Sequence, residues 1–253
     1  MQKMMCRLGL VSVSFREHTP EEILTAMNDA GLTYIEWGSD VHAPCKDTDR
    51  ILAIAELQRR YGITCSSYGT YFRLGETPLA ELPAYIAAAK MLGTDVLRLW
   101  CGKKSGANMT VEERESLLDQ CRRAAEIAKE HGVILCMECH QHTFTENPDD
   151  AAELMQTVDS PHFRMYWQPF QWLTAAESMA IAKRIAPYVE HIHVFNWKGN
   201  DRFPLGDALN EWRTYLTAFT APRTLLLEFM PDDSLASLKK ESDALKEIAG
   251  ETI

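Results

Sequence analysis

The stretch VILCMECHQH, Val133 to His142, is an apolar run that ends abruptly in a carboxylate and two imidazoles. In a strand, successive side chains alternate faces, so Glu138 and His140 point to one side while Met137 and Cys139 point to the other. Three later stretches close the same way: RMYWQ up to Gln168, HIHVFNW with His191 and His193, and TLLLEF with Glu228. If the four ends meet, they supply a metal-sized cluster of oxygen and nitrogen donors.

Outward from this strand, the chain repeats one unit of strand, loop and helix. Arg7 to Val13 is apolar and rich in β-branched residues. Thr19-Pro20-Glu21-Glu22 then gives an N-cap threonine, proline at the first helical position and glutamate three residues past the cap, and the helical pattern runs through Ala30. Strand two, Thr33 to Trp37, leads through GSDVHAP to a helix reaching Tyr61. Strand three covers Ile63 to Tyr68, its helix starts near Thr77-Pro78, and strand four covers Asp95 to Trp100. Thr110 to Glu113 is another capping box and opens a long helix. Gly31, Gly62, Gly93 and Gly132 close the four helices at spacings of 31, 31 and 39 residues, the length of one β/α unit.

The second half continues with strands at Phe163 to Gln168, Glu190 to Phe195 and Thr224 to Glu228. Asn147-Pro148 opens a helix, and Pro161, Pro187 and Pro222 precede strands. Eight apolar strands, each followed by an amphipathic helix, predict an α/β chain with a parallel sheet covered by helices. That sheet closes into a single (β/α)8 TIM barrel domain over residues 1–253, with its active site at the C-terminal ends of the strands. An open doubly wound sheet is the competing architecture. It is disfavoured because no G-x-G-x-x-G or Walker-type glycine loop follows a strand and no linker divides the chain.

Composition narrows the function. With 46% hydrophobic and 25% charged residues and no apolar run of membrane-spanning length, the chain reads as soluble, without a membrane partner. MQKMMCRLGLVSVSF passes into a strand pattern without a small-residue cleavage site, so no export signal is read. Seven cysteines spread through strands and helices suit reduced thiols in a cytoplasm, and Cys136 and Cys139 should face opposite sides of their strand. A net charge of -10 argues against nucleic acid as a partner.

In a barrel all strand C-termini open on one face. That face carries Glu36, Asp40 and His42 after strand two, Arg98 and Trp100 on strand four, and Glu138, His140 and His142 at strand five. Gln168, Gln171, His191, His193 and Glu228 follow, while His18, His131 and His162 fall near helix ends or opposite loops.

With IEWGSDVH on strand two, the glutamate of MECH, the histidine of HVFNW and the glutamate of LLLEF, nearly the whole chain resembles the xylose isomerase-like barrels. These include sugar and sugar-phosphate isomerases and epimerases, inosose dehydratases and apurinic endonucleases. The resemblance implies a divalent metal held by Glu138, Gln168, His193 and Glu228. Gln168 departs from the family's aspartate, and Gln171 from its histidine three residues later. Such a donor set suits Mn, Mg, Co or Zn.

Moving hydrogen between carbons beside a carbonyl means removing a weakly acidic C–H proton, which becomes feasible when the enediolate oxygens rest on a cation. Glu138 and Glu228 are the expected acid and base. Glu36, His42, Arg98 and His140 are candidate substrate contacts, and Trp100 and Trp197 candidate walls against the C–H faces of a sugar. The expected enzyme isomerises or epimerises a sugar, sugar phosphate or keto-polyol. Its partners are that small substrate and, in a homo-oligomer, copies of itself. A dehydratase on the same scaffold and a sugar-binding barrel without turnover are the alternatives.

Plainer readings stand beside these. In these the carboxylates serve only as buried partners of Arg98, His191 as a satisfied core histidine, and His42 and His140 as loop packing. Trp37 and Trp167 alternate away from the site and should pack on helices. KKSG at 103–106 and KGNDR at 198–202 offer cations beside glycine for a phosphate, or are solvated loops.

Overall fold

A computed structural model describes residues 6–220 and 224–250. Pro222 and the first five residues of the N-terminal stretch lie outside the described residues. The eight barrel strands are β1 (Arg7–Val11), β2 (Tyr34–Gly38), β3 (Thr64–Leu74), β4 (Val96–Cys101), β5 (Ile134–Glu138), β6 (Phe163–Trp167), β7 (Val189–Val194) and β8 (Thr224–Leu227). Each pairs in parallel with its sequence neighbours, and β8 pairs with β1 to close the barrel. The helices alternate with them: α1 (Pro20–Ala30), α2 (Thr48–Arg60), α3 (Leu82–Leu92), α4 (Val111–His131), α5 (Pro148–Val158), α6 (Ala175–Ile185), α7 (Leu209–Leu216) and α8 (Leu238–Ala249). This is the (β/α)8 TIM barrel that the spacing predicts.

Local chemistry sets most helix bounds as read, but the third helix, expected to start near Thr77-Pro78, begins at Leu82 after a 3-10 turn, Leu79–Glu81. Both predicted capping boxes form, Thr19 with Glu22 and Thr110 with Glu113. The glycines closing the first, third and fourth helices adopt left-handed φ, which relieves the last carbonyls without a Cβ clash.

The strands bury two unlike faces. Outward residues such as Trp37, Met137, Cys139 and Trp167 join the large core between sheet and helices. Inward, Val11, Val13, Val96, Cys136, Tyr166 and Leu226 form a small apolar plug. Cys136 and Cys139 thus belong to opposite faces, as alternation requires. Above the plug, inward positions turn polar, and that change of layer is where the site begins. Among the described residues no helix is long and apolar enough to cross a membrane.

Around the strands, three larger differences from the sequence reading appear. β1 stops at Val11 and a 3-10 turn, Ser12–Phe15, follows; the Ser12 hydroxyl accepts the Gly38 N–H at 2.9 Å and pins the turn on β2. β3 runs on to Leu74, with its pairing to β4 interrupted between Gly69 and Arg73. A two-stranded ribbon, Trp197–Lys198 against Asp201–Arg202, rises from the loop after β7. Gly199, at φ 60°, makes its tight turn.

Candidate active site

The floor of the site is a buried ionic layer resting on the plug. Glu36 projects inward from β2 and is fully buried. Its Oε1 accepts the Arg98 Nε–H at 2.8 Å, and its Oε2 accepts the Ser67 hydroxyl at 2.9 Å and the Tyr166 hydroxyl at 2.8 Å. Gly69 on β3 makes the space, because a Cβ there would stand 2.5 Å from Glu36 Oε1. Burial would raise the Glu36 carboxyl, but the Arg98 charge and the nearby His193 hold it well below the usual carboxylate range.

Arg98 links this floor to β5. Its Nη1 donates to Glu138 Oε2 at 2.5 Å, and the Trp100 indole N–H donates to the same oxygen at 2.6 Å. Burial pushes Glu138 up, yet Arg98 and then His193 outweigh it and hold the carboxyl at about 2. Oε2 is therefore engaged, and Oε1 faces the barrel axis, 3.5 Å from His193 Nδ1.

β7 and β8 bring the remaining donors. His193 is fully buried, with Nδ1 3.1 Å from Gln168 Oε1 and 3.4 Å from Glu228 Oε2. The Gln168 amide is oriented by its own N–H, which donates to the Cys139 carbonyl at 3.1 Å. Glu228 follows β8 directly. Its N–H bonds the Val194 carbonyl, and Phe229 then turns at φ 54°, with its N–H on Ser14 Oγ. Burial would lower His193, but Glu228, followed by the nearby Glu138 and Glu36, raises it to about 10. Burial pushes Glu228 upward, the His193 charge pulls it down, and the Glu138 charge adds to the rise, leaving it above the usual carboxylate range.

One donor atom from each of Glu138, His193 and Glu228 lies within 4.8 Å of the other two. Donors around one ion with bonds of about 2.0–2.2 Å stand about 3.0–3.5 Å apart. The 3.4 and 3.5 Å separations from His193 Nδ1 match that spacing. Two carboxylates, an imidazole and an amide oxygen also suit a hard or borderline divalent ion. The residues fit a metal.

Glu138, Gln168 and Glu228 line a cavity of about 240 Å³, together with Arg98, Trp100, His140 and Trp197, and His193 lies buried beside them. The Trp100 ring lies 5.3 Å from His140 and 5.1 Å from Tyr71. The Trp197 ring meets Phe229 at 5.3 Å. Two residues named as substrate contacts lie elsewhere. Glu36 is beneath the cavity, spent on the ionic layer. His42 is buried behind the wall, its ring nitrogens 3.1 Å from Ser12 Oγ and 3.1 Å from the His18 carbonyl. It stays in the loop because those two partners already satisfy the ring.

His191 lies one layer deeper, its ring 5.0 Å from Tyr166, and His142 is exposed. The indole of Trp37 bonds Gln58 of α2, and Trp167 packs on Trp212 and Tyr215 of α7. The cations of the two glycine loops are already paired: Lys103 with Glu76, Lys104 with Glu113, Lys198 with Glu211 and Arg202 with Asp233.

Sequence reasoning passed over Tyr166, Ser67 and Gly69, which hold the floor, and Arg16 and Tyr71, which form part of the rim. Tyr166 was within reach, since alternation puts it on the same inward face of β6 as Gln168 two residues on; its hydroxyl, which reaches Glu36 across the barrel, left no mark in the sequence. Arg16 and Tyr71 come from a 3-10 turn and a strand extension that leave no periodic trace.

A model of the family described as xylose isomerase-like TIM barrel matches residues 24–248. A 3-dehydroshikimate dehydratase of Bacillus anthracis is 24% identical over 114 residues, a match spanning 45% of this chain and 41% of that relative. Among solved structures, the "probable 3-DHS dehydratase AsbF" of Bacillus anthracis superposes with TM-score 0.77 at 17% identity, over 96% of this chain and 99% of that one. The IOLI protein with a bound zinc atom superposes with TM-score 0.75 at 15% identity, over 96% and 98%. At such identities the superpositions show a shared fold.

Proposed function

The chain belongs to the xylose isomerase-like TIM barrel family, and within it we propose a divalent-metal-dependent enzyme that isomerises or epimerises a sugar or keto-polyol. The observation that carries this reading is the meeting of Glu138, His193, Glu228 and the Gln168 amide at the base of one cavity. A bound cation supplies positive charge opposite the carbonyl oxygen, which lowers the cost of the enediolate left when the neighbouring C–H proton departs.

The two carboxylates have unequal roles. Glu138, held ionised by Arg98 and bonded on Oε2, is a weak base and would hold the cation. Glu228, free of any such clamp from Arg98 or Trp100, is the group that would take the proton from the substrate and return it. Trp100 and Trp197 cover apolar faces of the substrate and thin the water around the charges. His140 and Arg98 line the cavity where hydroxyl or carbonyl oxygens would sit. Because the loop cations are paired with carboxylates, an unphosphorylated substrate is favoured. Reduced, buried thiols such as Cys101 and Cys121, 3.8 Å apart, favour a cytoplasmic setting.

A dehydratase is the second reading, supported by the name of the 24% identical relative. It would begin with the same proton removal and then expel a hydroxyl. Incubation with a panel of ketoses and keto-polyols in deuterated water, with and without Mn²⁺, tests both. Deuterium on one carbon of an otherwise intact substrate, only with Mn²⁺, is the expected result. A product lighter by one water selects the dehydratase, and inertness toward every compound with the ion bound leaves a sugar-binding barrel.

A further inference from the structure

Glu36 is fully buried, lies outside the cavity, and yet touches the supports of donors on two different strands. Through Oε1 it holds Arg98 Nε at 2.8 Å, and Arg98 in turn holds Glu138 Oε2 at 2.5 Å. Through Oε2 it faces His193 Nε2 at 3.7 Å, and that buried nitrogen has no hydrogen-bond partner. The opposite ring nitrogen, Nδ1, is the one that faces Glu138, Gln168 and Glu228. A neutral imidazole offers a lone pair on one nitrogen only when its proton resides on the other, and a carboxylate beside the far nitrogen fixes that choice.

Two further observations show that this arrangement is built. The Ser67 and Tyr166 hydroxyls both donate to Oε2, so the carboxylate is fixed in rotation as well as position. Gly69 leaves the space it occupies, since a Cβ there would come 2.5 Å from Glu36 Oε1 and 2.9 Å from Arg98 Nη2.

Resting on the metal site argued above, we infer that Glu36 is a positioning residue for a divalent cation: it keeps the His193 proton on Nε2 and steadies Arg98 against Glu138. His193 Nδ1 and Glu138 Oε1 are thereby presented to the ion together. Glu36 touches neither ion nor substrate. Its removal acts through the two donors it supports.

Titration with Co²⁺, followed by its visible absorption, tests this without any turnover. The unaltered chain should bind one ion. Glu36→Gln, nearly the same shape without the charge, should bind at least about tenfold more weakly. Gly69→Ala, which keeps the carboxylate and only displaces it, should weaken binding in the same direction and decides the matter if Glu36→Gln fails to fold. In the zinc-loaded protein, the imidazole ¹⁵N shifts should report the Nε2–H tautomer, a signature that a purely structural loss would not move. A folded Glu36→Gln protein with unchanged Co²⁺ affinity and spectrum overturns the inference and leaves the metal site standing. Absence of Co²⁺ binding by the unaltered chain overturns both.

Discussion

The two halves of the site are built differently. On the β2–β5 side, Glu36, Ser67, Arg98, Trp100 and Glu138 are joined by bonds of 2.5–2.9 Å, and nearly every polar atom has a partner. On the β6–β8 side, Gln168, His193 and Glu228 approach one another at 3.1–3.4 Å, with fewer direct bonds. The same functional group responds oppositely in the two places. Glu138 is held down at about 2, whereas Glu228 is pushed above the usual range. Burial acts on both, and the difference lies in the guanidinium that touches one and not the other. A saturated half gives fixed geometry, and a sparse half leaves a carboxyl that can change its proton.

The sharpest break in that comparison is a pair of substitutions. Glu228→Gln should lower deuterium exchange by about 10²–10⁴-fold even at saturating metal, the usual worth of a positioned proton carrier. Glu138→Gln should lose mainly metal affinity, by about 10–100-fold, and recover part of its exchange when more ion is supplied. Equal, unrescued losses in both would erase the distinction.

Arg98→Leu addresses the saturated half alone. It strands Glu36 and Glu138 without their shared cation, and removing one partner of a buried ion pair typically costs about 3–5 kcal/mol. Chemical denaturation should show that loss. A change under 1 kcal/mol would mean that the ionic layer is solvated in solution.

The sparse half should reveal itself in pH. His193, raised to about 10, carries a proton at neutral pH that must leave before the ring binds an ion. Apparent metal affinity should therefore rise with pH below about 10, by about tenfold per unit for one proton released. Affinity that is flat from pH 6 to 9 would place the imidazole outside the binding step. The smallest expected effect belongs to the rim: Lys198→Ala removes an exposed pair with Glu211 and should change KM for an unphosphorylated substrate less than twofold.

Much of this was legible in the order of residues, for identifiable reasons. Helix ends are local, so Thr19, Glu22, Gly31 and Gly93 announce themselves within a few positions. Glu138, His193 and Glu228 interrupt apolar strands, which marks them wherever the strands meet. What stayed hidden depends on contacts between distant strands. Whether Glu36 faces substrate or Arg98 is decided by the depth of its layer, and alternation reports the face of a strand without reporting its height in the barrel. His42 looked like a mouth residue because its loop follows a strand, yet Ser12 and the His18 carbonyl claim both ring nitrogens. Gly69 reads as an ordinary strand glycine until the Glu36–Arg98 pair is seen filling its missing side chain.

The most direct measurement is anomalous diffraction from a crystal grown with Mn²⁺. One peak is expected within about 2.0–2.4 Å of a Glu138 oxygen, His193 Nδ1 and a Glu228 oxygen, with the Gln168 amide oxygen turned toward it. A cavity without a peak at saturating Mn²⁺, or an ion bound only elsewhere on the barrel, would contradict the convergence of these side chains on a metal.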